Sequence, residues 1–128
     1  MTNKMLEQVK EFNANLDSPG WLSSSKELDK LLVKMIEEEV KELRDAVEAN
    51  HIEEVVDALC DILYTTLGAV VRWDIGIEEA FNRVHTSNMS KLVDGYFLKN
   101  EDGKVIKPDS YQPPNFEGVI VDGHSLFE

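Results

Sequence analysis

The stretch EVVDALCDILYTTLGAVVRW, residues 54–73, restricts the fold more than any other part of the chain. A helix turns about 100° per residue, so with Glu54 at zero Asp57 falls at about −60°, Asp61 at about −20°, Thr65 at about 20° and Arg72 at about zero. Almost everything else on the segment is apolar. A helix that is apolar around most of its circumference has to be covered on most sides. This one carries three carboxylates on a single narrow strip as well.

The preceding segment repeats the problem. KMIEEEVKELRDAV, residues 34–47, continues a helical pattern that begins near Leu28. With Leu28 at zero, Leu32, Met35, Leu43 and Ala46 lie within about 60° and make an apolar stripe. Glu39 falls inside that stripe at about 20°, Glu42 about 40° to its other side, and Glu38 at about 80°. Glu37 lies opposite, where a solvated glutamate belongs, and Glu53 also reads as solvated. Only the short turn EANH separates the two segments, so they should run antiparallel, side by side. Glu39 and Glu42 precede the turn by about 8 to 11 residues; Glu54, Asp57 and Asp61 follow it by about 4 to 11, so both groups share a height along the pair. Up to six acids (Glu38, Glu39, Glu42, Glu54, Asp57, Asp61) can converge.

Such convergence is costly, because each shielded carboxylate loses hydration worth several kcal/mol and its neighbours repel it. Either some acids take up protons or a cation sits among them. Nearby basic residues are few. Lys41 and Arg44 point away from the stripe, and Arg72 lies about 16 Å along the helix from Asp61. Hard divalent cations with oxygen ligands suit this set, meaning Mg²⁺ or Mn²⁺. No Cys–His cluster is present for zinc.

The rest of the chain reads as four helices in one domain, residues 1–128, with a helical core at about 2–91 and a hairpin and tail at 92–128. The first helix covers about 2–16, with Met5, Val9, Phe12 and Leu16 on one face, and LDSPGW ends it. The second starts after the serines at 23–25 and ends near Ala49; the third spans Ile52 to Trp73. The fourth spans Ile77 to Met89, with Ile77, Phe81, Val84 and Met89 on one face. GYFLKNEDGKVIK predicts a small hairpin turning at NEDG, and PDSYQPPNF predicts extended chain. The fold class is all-α, a four-helix bundle type with a small C-terminal hairpin and extended tail. The chain's net charge of −12 opposes binding to nucleic acid. No apolar run approaches the ~20 residues of a membrane span, and the N-terminus lacks the apolar centre of a secretion signal. Cys60, the one cysteine, has no partner for an internal disulfide, which suits a cytoplasmic location. Covering the third helix calls for a second copy of the chain, so a homodimer is expected.

EEVKE at 38–42 followed by EVVDALCDILY at 54–64 resembles the EExxE…ExxD signature of the all-α nucleoside triphosphate pyrophosphohydrolases. That superfamily includes MazG-like, dimeric dUTPase-like and phosphoribosyl-ATP pyrophosphohydrolase-like proteins. HTSNMSKL, DGKVIKP and the later Tyr111–Pro113–Pro114 pattern are similar to the last of these. The resemblance covers roughly residues 28–114. It implies a helical bundle assembled as a dimer or dimer of dimers. It also implies Mg²⁺-dependent hydrolysis of a nucleoside triphosphate between the α and β phosphates, giving monophosphate and pyrophosphate. Carried over by position, Glu38 or Glu39, Glu42, Glu54 and Asp57 would hold metal, and one of Glu38 and Glu39 would orient or deprotonate the attacking water. Asp61 shares the strip with Asp57, and both stay in the set.

A phosphate tail needs donors. Asn88, Ser90 and Lys91 stand where the fourth helix ends, and Lys91 suits a phosphate as a point charge. Lys104 and Lys107 read as solvated. A base needs a flat apolar surface, for which Phe12, Asn13, Trp21 and Tyr64 are candidates; Asn88, Lys91, Asn13 and Trp21 make the expected substrate-binding set. His85 and Cys60 read as packing or surface. The resemblance implies nucleotide-pool house-cleaning as the leading function and phosphoribosyl-ATP hydrolysis in histidine synthesis as the runner-up; the rival reading of the acidic residues is a non-enzymatic protein mimicking nucleic acid. Mimicry needs acids along an exposed surface, whereas these lie on inward stripes.

Overall fold

The computed structural model describes residues 3–16 and 26–119. These form helices α1 Lys4–Ala14, α2 Lys26–Glu48, α3 Ile52–Arg72 and α4 Ile77–Met89, followed by strands β1 Leu92–Val93 and β2 Tyr96–Phe97. Helix makes up 63% of them, so the chain is all-α with a minor hairpin, as expected. The serine cap expected at 23–25, Trp21 and the chain beyond Val119 lie outside the described residues. No described helix is long and apolar enough to cross a membrane.

Local chemistry sets the helix ends. Asn3 Oδ1 accepts from the Leu6 amide at 3.2 Å, so α1 begins two residues later than the apolar pattern suggests. At the other critical junction, Asn50 adopts a left-handed φ of 55°. The His51 amide then donates to the Ala46 carbonyl and the Asn50 amide to the Val47 carbonyl, both at 3.0 Å. This double closure ends α2 and turns the chain straight into α3, and asparagine tolerates the left-handed backbone better than most residues.

The described chain divides into two units, one ending at Asp74 and the other starting at Ile75. In the first, Leu6 and Val9 of α1, Leu32 and Ala46 of α2, and Ala58, Ala69 and Val70 of α3 are buried. Alanine at 46 and 58 lets α2 and α3 approach closely beside the turn. At the opposite end of this helix pair, Asp29 Oδ1 accepts from Arg72 Nε at 3.0 Å and from Trp73 Nε1 at 2.8 Å. The Phe12 and Tyr64 rings meet edge to face, with centroids 5.5 Å apart.

The described residues supply only part of the expected cover over α3. Ile52, Val56, Leu59 and Leu63 remain 71%, 54%, 47% and 50% exposed. On α2, Val33, Val40 and Val47 repeat every seven residues and are exposed too. Both stripes lie well away from the faces that carry the acids.

In the second unit, α4 buries Ala80 and Ser87, whereas Phe81 is 70% exposed. Of the face expected from Ile77, Phe81, Val84 and Met89, Ile77 and Val84 are half-buried on the same side as Ala80 and Ser87, whereas Phe81 and Met89 are exposed. Asp94 and Gly95, with φ of 50° and 83°, close a two-residue turn that pairs Val93 with Tyr96 and Leu92 with Phe97. Positive φ at both positions fits the right-handed twist of a hairpin. The expected NEDG turn follows as a second, looser closure: Lys99 pairs with Val105, and Asn100 Oδ1 accepts from the amides of Asp102 and Lys104. The extended chain then runs back along α4. Ser87 Oγ donates to the Gln112 carbonyl at 2.6 Å, Arg83 Nη1 to those of Asn115 and Glu117, and the Gly76 amide to that of Val119.

Candidate metal centre

Glu39 and Glu42 of α2 and Asp61 of α3 each offer a carboxylate oxygen within 4.8 Å of the other two. The antiparallel turn at Asn50 brings them level, because Glu39 precedes it by about as many residues as Asp61 follows it. Glu39 and Asp61 are half-buried, and Glu42 is exposed. Glu39 Oε2 is buried and has no hydrogen-bond partner among the described residues.

Electrostatics mark the same groups. Burial raises the Glu39 pKa most; a hydrogen bond with Glu42 and the charges of Glu42, Asp61 and Asp57 raise it further. Burial likewise leads the upward shift at Asp61, followed by the charges of Asp57 and Glu42. Asp57 therefore acts on both groups electrostatically, although it lies outside the closest three. A cleft of about 410 Å³ continues from the cluster, lined by Glu42, Asp45, Glu54 and Asp57 with Ala46, Ala49 and Ala58. The alanines leave room that longer side chains would fill.

The structure thus brings Glu39, Glu42 and Asp61 together, with Asp57 and Glu54 on the adjoining cleft. Glu38 is exposed and outside the trio. Asp45 lines the cleft without having been singled out from the sequence; its position three residues after Glu42 was the available signal. Its exposed contact with Lys41, 3.5 Å, leaves it close to solvent. Thr65 does not join the acids, since its hydroxyl donates to the carbonyls of Asp61 and Ile62. Asn13 is buried, and its Nδ2 has no hydrogen-bond partner among the described residues. Asn88 and Lys91 stand together in the second unit, with Lys91 Nζ donating to Asn88 Oδ1 at 3.2 Å.

The family model for phosphoribosyl-ATP pyrophosphohydrolase matches residues 3–88. The chain belongs to this family. Its members are all-α pyrophosphohydrolases of the MazG-like superfamily and typically depend on a divalent cation. No curated protein matches the chain. Within the span matched to phosphoribosyl-ATP pyrophosphohydrolase lie all six acids, Asn13 and Asn88; Lys91 and the hairpin fall beyond it.

The donor set fits a hard divalent cation. Every ligand atom of the cluster is a carboxylate oxygen, burial penalises the charge of two of these carboxylates, and one buried oxygen has no hydrogen-bond partner among the described residues. A small cation would relieve all three conditions.

The raised values also fix a pH dependence. The ordinary values are 4.5 for Glu39 and 3.8 for Asp61, and folding moves both upward. The folded protein therefore holds these protons more tightly than the unfolded chain does. Folding is favoured below the ordinary values, and that advantage disappears as pH rises through the raised ones. Without divalent cations, this contribution is expected to lower the melting temperature as the pH rises above the ordinary carboxylate range. Glu39→Gln should flatten that slope. Thermal melts in chelator across that rise in pH measure it, and an unchanged slope in the variant would count against the coupling.

Proposed function

We propose that this chain is a divalent-metal-dependent nucleoside triphosphate pyrophosphohydrolase that converts (d)NTP and water to (d)NMP and pyrophosphate in house-cleaning of the nucleotide pool. The observation that carries the reading is the Glu39–Glu42–Asp61 cluster with its unpartnered buried oxygen, in a chain of this family. Mg²⁺, or Mn²⁺, is the proposed cofactor, held by Glu39, Glu42 and Asp61 with Asp57, Glu54 and Glu38 at the rim. When bound, the ion lowers the pKa of water and offsets the negative charge of the polyphosphate. Burial and the neighbouring acids raise the Glu39 pKa, which makes it a stronger proton acceptor than an ordinary glutamate and suits it to deprotonating the attacking water. Glu38, exposed at the edge, is the alternative for orienting the water.

The base is assigned to α1 and α3. A small apolar groove of about 170 Å³ is lined by Val9, Leu63 and Tyr64, among others, and Phe12 meets the Tyr64 ring. The buried Asn13 amide has a donor to offer a base edge. Trp21, Asn88 and Lys91 complete the proposed substrate set.

Phosphoribosyl-ATP hydrolysis in histidine synthesis is the second reading, favoured by the description of the matching family. Pyrophosphate release from a panel of canonical and modified (d)NTPs and phosphoribosyl-ATP separates the two. Glu42→Gln and Asp57→Asn are expected to fall by about 100-fold or more on the preferred substrate. Equal activity in wild type and both variants would remove the mechanism.

The proposed assembly is a homodimer or dimer of dimers. Its support is the open apolar stripes: Val33, Val40 and Val47 on α2, and Ile52, Val56, Leu59 and Leu63 on α3. A heptad-like run of this kind suits helix-to-helix packing against a second copy. Val40→Lys with Leu59→Lys should give a monomer by light scattering; an unaltered mass would refute the interface.

A further inference from the structure

The second unit holds a feature that the acidic centre does not use. Two lysines converge on one ring: Lys91 Nζ lies 5.6 Å from the centre of Tyr111, and Lys107 Nζ lies 5.1 Å from it. In a chain of net charge −12, neither ammonium forms an ion pair with a carboxylate among the described residues. Like charges repel, so bringing two to the same ring offsets part of what each gains from the π face.

The arrangement is built rather than incidental. The Tyr111 amide donates to the Pro108 carbonyl at 3.0 Å, a turn that folds Lys107 back toward the ring. Ser90 fastens the same segment to the end of α4: its Oγ accepts from the Gln112 amide at 2.9 Å, and its carbonyl accepts from Ser110 Oγ. Ser87 Oγ adds a bond to the Gln112 carbonyl. Tyr111, which is half-buried, is thereby held next to Lys91, and Asn88 Oδ1 orients the Lys91 ammonium. Four hydrogen bonds between the end of α4 and residues 110–112 or within the turn thus place two cations around one flat surface.

We propose that Lys91 and Lys107, positioned by Tyr111, form a binding site for a diphosphate group. Each ammonium supplies several donors to phosphate oxygens as a point charge. A diphosphate carries more charge and more oxygens than a single phosphate, so it matches a pair of ammonium groups better than a single phosphate does. This adds Lys107 and Tyr111 to the machinery, and as a site for the tail of a nucleoside triphosphate it rests on the hydrolase reading. Free pyrophosphate offers the same chemistry.

Titration calorimetry of the full chain with sodium pyrophosphate in chelator tests the site. Wild type should bind pyrophosphate more tightly than inorganic phosphate. Lys107→Ala should weaken pyrophosphate binding roughly tenfold, with Lys107→Arg restoring most of it. Tyr111→Leu should weaken it to a smaller degree. Lys104→Ala, on the same hairpin but away from the ring, should leave it unchanged. No binding by wild type, or the same loss from Lys104→Ala as from Lys107→Ala, would overturn the proposal. Steady-state hydrolysis distinguishes the sources. A rise in KM that exceeds any fall in kcat for Lys107→Ala points to the triphosphate tail, whereas unmoved KM with weaker pyrophosphate inhibition points to the free product. Binding that depends on Lys107 in a protein that hydrolyses no nucleotide would leave this site standing and remove the hydrolase reading instead.

Discussion

Glu39→Gln is expected to lower pyrophosphate release by about 100-fold or more while raising the melting temperature of the metal-free protein. The two effects have opposite signs because they come from one cause. Glu39 is held where its charge is unwelcome: its Oε2 is buried without a donor, and Glu42, Asp61 and Asp57 all push its pKa upward. Glutamine keeps the shape and removes the charge. Its amide can still donate to the Glu42 carboxylate, so repulsion falls without a cavity forming. Sites that store such strain commonly give up stability for function.

Cation binding supplies the matching control. A ligand at 100 times its Kd stabilises the native state by about 2.7 kcal/mol. Wild type should therefore gain melting temperature with millimolar Mg²⁺ or Mn²⁺, and Glu39→Gln should gain far less. Glu37→Gln, on the solvated face, should behave as wild type in both respects. A Glu39→Gln protein that melts lower than wild type in chelator, or that keeps its activity, would mean that the carboxylate cluster is a fold feature and not a cation site.

The centre was legible because helical period and a short link act together. Angles of about 100° per residue placed Glu39 inside an apolar stripe, and the turn near Asn50 set Asp61 level with it. Neither statement needs tertiary information. Which acids come closest does need it. Glu38 and Asp61 share similar sequence credentials, yet the rotation of α2 leaves Glu38 in solvent, while α3 turns Asp61 inward. Arg72 shows the same limit more sharply. Its angle on α3 puts it on the acidic strip, but its height along the helix decides its partner, which is Asp29 at the start of α2. The Asp94–Gly95 turn was readable from its residue types and was obscured by the more conspicuous NEDG further on. Exposure of Ile52, Val56, Leu59 and Leu63 was hidden for a different reason. Sequence shows that a helix is apolar all round; it does not show how much of that surface its own chain covers.

Asp29→Ala is expected to destabilise the first unit strongly and to leave the acidic centre untouched. One carboxylate oxygen of Asp29 serves two donors, Arg72 Nε at 3.0 Å and Trp73 Nε1 at 2.8 Å. The Arg72 side chain is only 4% exposed and Asp29 is 23% exposed. Removing one partner from a buried ion pair costs about 3 to 5 kcal/mol, and the partial exposure of Asp29 places this case at about 3. Against a total stability of about 5 to 15 kcal/mol that is a large share, equivalent to a fall in melting temperature of roughly 10 °C. Asp29→Asn should cost less, because its amide oxygen still accepts from Trp73 Nε1 while the charge beside Arg72 is lost. The end of the α2–α3 pair that carries this link is the one remote from Asn50, so the Asp29→Ala protein that remains folded should keep wild-type kcat and the same gain in melting temperature with Mg²⁺. Melts in chelator and in Mg²⁺ check both halves. A loss of the Mg²⁺ response larger than the loss of folded protein would show that Asp29 and the cluster at Glu39 are coupled through the length of the helices, and that the far end of the pair helps to hold the site in place.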